Sequence, residues 1–183
     1  VCEAGKRHRN RKEIKLMKSK AQRPSWDDYF LNISNEIAKR SSCLRNQVGA
    51  VIVIDKDIIS TGYNGAPRYQ PNCIEIGWCY RDRNQIKSGT QLERCRAVGS
   101  HGESNAIALA ARNGHSTCGG TIYISGHYFV CNQCKALISN ANIKRVVLKT
   151  PDGKIEEFYP EKDWTTHPVD MEINNQETKR SVT

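Results

Sequence analysis

The sequence predicts an α/β sandwich, and three observations carry that prediction. Residues 48–54 form a nearly continuous apolar run, the pattern of a strand buried on both faces. Residues 26–40 place Tyr29, Phe30, Ile33, Ile37 and Ala38 at intervals of three and four, the period of an amphipathic helix. Beyond residue 100, helical stretches then alternate with short apolar strands, which gives a layered α/β architecture.

Taken in order, Pro24 closes a basic arm, and Ser25 is a good N-cap with Asp27 and Asp28 in the first helical turn. After the strand at 48–54, Asp55-Lys56-Asp57 is a hairpin turn and 58–63 return as a second strand. The loop Gly62-Tyr63-Asn64-Gly65-Ala66-Pro67 is too rich in Gly and Pro to be regular. It is either a plain turn or, leaving the end of a core strand, a place for ligand contacts. Residues 68–100 read as a long, polar, irregular insertion holding Cys73, Cys79 and Cys95, which suggest a staple. Residues 101–113 read as a helix with Ala106, Ile107, Leu109 and Ala110 apolar and Gly114 as its stop. A strand at 121–124, a helix at 131–140 and a strand at 143–148 follow. The stretch 151–167 is expected to be irregular, with a short helix near Trp164, and 168–183 to be a polar tail. The organisation is thus a basic arm over 1–24, one domain over 25–167 and the tail, without internal repeats.

Charge is unevenly spread. The whole chain carries +9, but residues 1–24 hold nine Lys and Arg against two Glu, so about +2 is left for the rest. Such an arm can bind nucleic acid, act as a nuclear address over residues 6–12, or be a solvated tail, and the tail is favoured. The remainder lacks the extended basic surface of a polynucleotide binder. No apolar run reaches membrane-spanning length, so no membrane partner is expected. Eight cysteines without a secretory signal pattern point to metal ligation in a reducing compartment, with a cytoplasmic location expected.

The chemistry concentrates in His101-Gly102-Glu103 and Cys131-x-x-Cys134. A catalytic zinc takes three protein ligands and keeps one position open for water. Cys131 and Cys134, three apart at a helix start, can face one way, and the helix N-terminus favours their thiolate forms. His101 supplies the third ligand, and Glu103 can lean over the open position without ligating. The pattern matches the H-x-E…P-C-x-x-C signature of zinc nucleobase deaminases, except that Val130 stands where proline is usual. Proline there suits a first helical turn but carries no chemistry.

With these residues in order, the chain resembles the deoxycytidylate (dCMP) deaminases of the cytidine-deaminase-like superfamily, from about residue 26 to 148. The resemblance rests on Gln47-Val48-Gly49-Ala50, Gly62-Tyr63-Asn64-Gly65, His101-Gly102-Glu103-Ser104-Asn105-Ala106-Ile107, Cys131-x-x-Cys134 and Ile143-Lys144-Arg145-Val146-Val147. It implies a three-layer α/β/α sandwich with a five-stranded mixed sheet and the zinc between two helix N-termini. It further implies hydrolytic deamination of dCMP to dUMP and ammonia for thymidylate synthesis, with Glu103 as the proton-transferring residue. Asn64 is then a nucleotide-binding residue, and Arg40 and Ser41 are candidates for the 5′-phosphate. Family members are typically oligomers, often hexamers, and many respond to dCTP and dTTP; Gly65 and Arg112 are candidates for such an effector site. Some members carry a second zinc, so Cys43, Cys73, Cys79 and Cys95 are candidates for a structural zinc site of four cysteines, with Arg45, Arg94 and Arg96 near enough in sequence to balance its charge.

Two other readings stand beside this one. The same chemistry could act on a base in RNA or single-stranded DNA with the basic arm as tether, which activity on an oligonucleotide would reveal. Alternatively, the metal site could survive as scaffold in a non-enzymatic nucleic-acid-associated protein, a role that has no need of Glu103.

Overall fold

The computed structural model describes residues 23–166. The basic arm up to residue 22 and the polar tail from 167 lie outside the described residues.

Helix α1 (Trp26–Ala38) starts as its residues dictate, with the Ser25 hydroxyl oxygen accepting from the Asp28 amide. Strands β1 (Gly49–Ile54) and β2 (Asp57–Tyr63) form an antiparallel hairpin. Its two turn residues, Asp55 and Lys56, have φ of 50° and 72°, the left-handed pair that matches strand twist in a two-residue hairpin. Helix α2 (Cys73–Ile76), helix α3 (Tyr80–Arg83) and a 3-10 turn (Leu92–Arg94) lie in the insertion, which is therefore a series of single turns. Helix α4 (Gly102–Arg112), β3 (Thr121–Ser125), α5 (Asn132–Asn140) and β4 (Arg145–Lys149) follow.

The expectation of an irregular 151–167 is corrected. Residues Ile155–Phe158 form β5, antiparallel to β4, before α6 (Pro160–Asp163) and Trp164. Ile155-Glu156-Glu157-Phe158 lacks a run of apolar residues because β5 is an edge strand, where charge on the free side is the usual protection.

The sheet has the order β2-β1-β3-β4-β5, with only β3 and β4 parallel, joined through α5. Side chains alternate across β1: Ala50 and Ile52 pack with Ala106 of α4 and Ile138 of α5, while Val51 and Val53 pack with Phe30 and Leu31 of α1. This burial on both faces explains the continuous apolar run and gives the three layers implied by the family resemblance. An ionic clamp fixes α1 to the sheet: Arg145 donates from Nη2 to Asp27 Oδ2 and from Nη1 to Asp27 Oδ1, both at 2.8 Å, and the Tyr123 hydroxyl donates to Asp27 Oδ1 at 2.8 Å. Opposite, α4 lies so close on β2 that Gly62 leaves no room for a Cβ against the α4 backbone.

Candidate active site

Two helix starts meet over one end of the sheet. His101 is the N-cap of α4 and Cys131 the N-cap of α5, and neither side chain is used to cap its helix. Their donor atoms are thus left for another partner. His101 Nδ1 lies 3.4 Å from Cys131 Sγ and 3.4 Å from Cys134 Sγ. A tetrahedral zinc with ordinary Zn–N and Zn–S bonds would set this edge at about 3.6 Å. The three donors fit such an ion, and this is the only group among the described residues whose ligand atoms gather within 4.8 Å. Three ligands leave the fourth position open, the arrangement of a catalytic site.

Protons occupy the cluster when metal does not. The Cys131 thiol is pulled down to about 4, first by a hydrogen bond from Cys134 and then by His101. Cys134, the donor in that pair, is pushed up, and His101 is raised chiefly by its hydrogen bond with Cys131. Metal binding must displace the protons that His101, Cys131 and Cys134 share through these contacts. Glu103, in the first turn of α4, is only 5% exposed, and burial pushes its carboxyl above the ordinary range. Val130, at the position usual for proline, is buried in the core beneath the site.

His101, Glu103 and Cys131 open into a cavity that is also lined by Asn64, Arg45, Arg81, His127 and Phe129. His127 and Phe129 pack edge to face at 4.5 Å and make an aromatic wall. Asn64 is buried and holds the cavity floor: its Oδ1 accepts from the Val48 amide at 2.8 Å and from Ser41 Oγ at 2.6 Å, and its Nδ2 donates to the Asn46 carbonyl at 2.8 Å. Ser41 is buried behind Asn64 and also donates to the Asn64 carbonyl. Arg40 is exposed and lies outside this cavity; with Gly65, Arg68 and Arg112 it lines a second one across the Gly62–Asn64 loop. Cys43, Cys73, Cys79 and Cys95 all line the first cavity, but their sulfurs do not form a group within ligand spacing. Burial, then the nearby sulfurs of Cys79, Cys43 and Cys95, push the Cys73 thiol up to about 11.

Sequence reasoning missed Arg81 and Phe129. Arg81 is one of many basic residues in a polar insertion, and only the fold shows that its side chain turns inward.

Fold and donor set together define a zinc-binding α/β domain with a carboxylate beside the open metal position. The family model of the cytidine and deoxycytidylate deaminase zinc-binding region matches residues 24–150, and the chain belongs to that family. The deoxycytidylate deaminase of Mycobacterium phage D29 is 38% identical over 130 residues, covering 68% of this chain and 94% of the phage protein. The deoxycytidylate deaminase of Schizosaccharomyces pombe is 38% identical over 128 residues, 70% of this chain but 38% of the yeast protein. The chain thus spans well under half of that relative's length. ComE operon protein 2 of Bacillus subtilis is 34% identical over 155 residues, 85% of this chain and 69% of that protein. The crystal structure of dCMP deaminase from the cyanophage S-TIM5 in complex with dCMP and dUMP shares the fold, with a TM-score of 0.53 at 21% identity over 70% of this chain and 84% of the phage chain.

Proposed function

We propose that the protein hydrolyses dCMP to dUMP and ammonia and so supplies dUMP for thymidylate synthesis. The observation that carries this reading is the buried Glu103 carboxyl set two residues from His101, with the Cys131 and Cys134 sulfurs at ligand spacing. Zinc held by His101, Cys131 and Cys134 supplies a Lewis acid that acidifies a water at its open position. Glu103 would take one proton from the water and deliver it to N3 as the oxygen adds to C4; it would then take the remaining proton from that oxygen and pass it to the amino group, so that the C4–N bond breaks, the C4 carbonyl forms and ammonia leaves. Burial raises its affinity for protons, which suits a group that takes and returns them. Asn64 keeps the floor of the cavity in place beneath the nucleotide, and the His127–Phe129 wall bounds the space beside it.

Cys43, Cys73, Cys79 and Cys95 are the candidates for a second, structural zinc tying the insertion to the segment before β1, which would require their sulfurs to draw together into ligand spacing. Their shared position on one cavity and their effect on Cys73 support this. An anionic effector of the dCTP or dTTP type and an oligomeric, hexameric assembly belong to the same proposal; the basic lining of the second cavity by Arg40, Arg68 and Arg112, beside Gly65, supports the effector alone.

The test is ammonia release from dCMP, CMP, deoxycytidine and a cytosine-containing oligonucleotide. Turnover confined to dCMP is the expected result. Turnover of the oligonucleotide alone would move the activity to nucleic acid, and silence on all four with zinc bound would overturn the deaminase reading.

A further inference from the structure

The insertion turns one basic side chain inward. Arg81, in helix α3, is 7% exposed, although guanidinium groups are almost never buried without a counter-charge. Among the described residues no carboxylate pairs with it. Its Nη2 donates to the carbonyl oxygens of Lys87 at 2.9 Å and Thr90 at 2.7 Å, which fixes the head group but leaves the charge uncompensated. Its Nε is buried with no hydrogen-bond partner.

The surroundings sharpen the choice. Three arginines, Arg45, Arg81 and Arg96, line the cavity that holds His101 and Glu103, against that single carboxylate. Arg45 is already committed, with Nε 2.9 Å from Asp82 and Nη1 donating to the Ile86 carbonyl at 3.1 Å. Arg96 is exposed, donates to the Pro71 carbonyl at 3.2 Å, and faces the cysteine group, where its charge favours the Cys73 thiolate. The Arg45–Asp82 pair pins helix α3 to the segment before β1 and draws the adjacent carboxylate away from Arg81. Arg81 is therefore a held, buried cation that lines the active-site cavity and keeps one donor, Nε, unsatisfied behind it. Such a group is stabilised by the arrival of an anion, and a guanidinium suits phosphate by geometry as well as charge.

We propose that Arg81 receives the 5′-phosphate of the nucleotide, so that the insertion, rather than the segment after α1 that carries Arg40, makes the site select a nucleoside monophosphate over the bare nucleoside. This inference rests on the deaminase reading above. Its alternative is an arginine that merely pins the carbonyls of Lys87 and Thr90.

The experiment compares kcat/KM for dCMP and for deoxycytidine in zinc-loaded full chain, wild type and Arg81→Gln. The ratio of the two should fall about 100-fold in Arg81→Gln, mostly through KM for dCMP. An unchanged ratio, both substrates suffering alike, is the signature of a structural pin and overturns the proposal. If Arg81→Gln fails to fold, Arg81→Lys reads the same ratio: a fall of about 10-fold supports a phosphate contact that needs the guanidinium, and a wild-type ratio overturns it. Failure of the underlying reading looks different, because zinc-loaded wild type would then leave dCMP intact.

Discussion

Substituting Gly62 by Ala probes how the sheet holds the catalytic helix. Gly62 sits on β2 against the first turns of α4, and a Cβ there would meet the Asn105 carbonyl carbon at 2.9 Å, with the Gly102 carbonyl oxygen and the Ala106 amide nitrogen closer still. All three are backbone atoms, so no side chain can swing aside. Ordinary carbon contacts begin at about 3.5 Å, so β2 and α4 must part by about 1 Å. Overpacking of this kind costs about 3 kcal/mol, the upper end of its usual range. For a domain of this size that is a fall in Tm of about 6–12 °C. Because Glu103 and His101 ride on the displaced turn, a misplacement of about 1 Å should also lower kcat about 100-fold. Gly49→Ala is the control. Its Cβ would meet the Ala38 nitrogen at 2.5 Å and the Ala38 Cα at 3.0 Å on the opposite face of the sheet, against α1. It should lower Tm comparably and spare kcat per folded molecule much more. Thermal melts and initial rates on zinc-loaded proteins check both. A Gly62→Ala protein with wild-type Tm and rate would refute the reasoning, as would equal loss of kcat in the two variants.

Further outcomes follow from the same contacts. Asn64→Ala strands the Val48 amide and the Asn46 carbonyl, while the Ser41 hydroxyl keeps the backbone carbonyl of residue 64, so urea unfolding should show a loss of about 2–4 kcal/mol; a loss below about 0.5 kcal/mol would contradict the clamp. Asp27 carries a carboxyl held below its ordinary 3.8, first by the hydrogen bond from Arg145. A depressed folded-state value contributes stability that is complete above the unfolded pKa and is lost as pH falls through the folded one. The advantage of wild type over Asp27→Asn, about 1 kcal/mol at most for so exposed a pair, should therefore be full well above the ordinary 3.8 and be lost as pH falls below it through the depressed folded-state value. An advantage that stayed constant or grew on acidification would contradict the assignment.

How much of this was legible depended on whether the signal was local. The strand of β1 and its hairpin could be read because burial on both faces demands apolar residues at every position, and the two turn residues need only tolerate left-handed backbone. The donors could be read because a first helical turn brings Cys131 and Cys134 together, with His101 and Glu103 on a second helix start. Strand β5 was hidden because an edge strand of four residues with two glutamates has no apolar signature, and only its pairing with β4 makes it a strand. Arg81 was hidden for a related reason. Its burial is set by Lys87 and Thr90, and by the Arg45–Asp82 pair across the insertion, contacts that no spacing in the sequence announces. Asn64, expected from the sequence to be a nucleotide contact, makes a structural clamp in the fold, a role visible only once Val48 and Asn46 stand beside it.

In the proposed reaction Glu103 moves protons beside a zinc that other residues hold. The direct measurement is zinc content and dCMP turnover of Glu103→Gln, which keeps the volume of a buried side chain but removes its acid. Zinc should stay at the wild-type stoichiometry while kcat falls by about 100- to 10,000-fold. A Glu103→Gln protein that kept its zinc and its wild-type rate would contradict the mechanism at its centre.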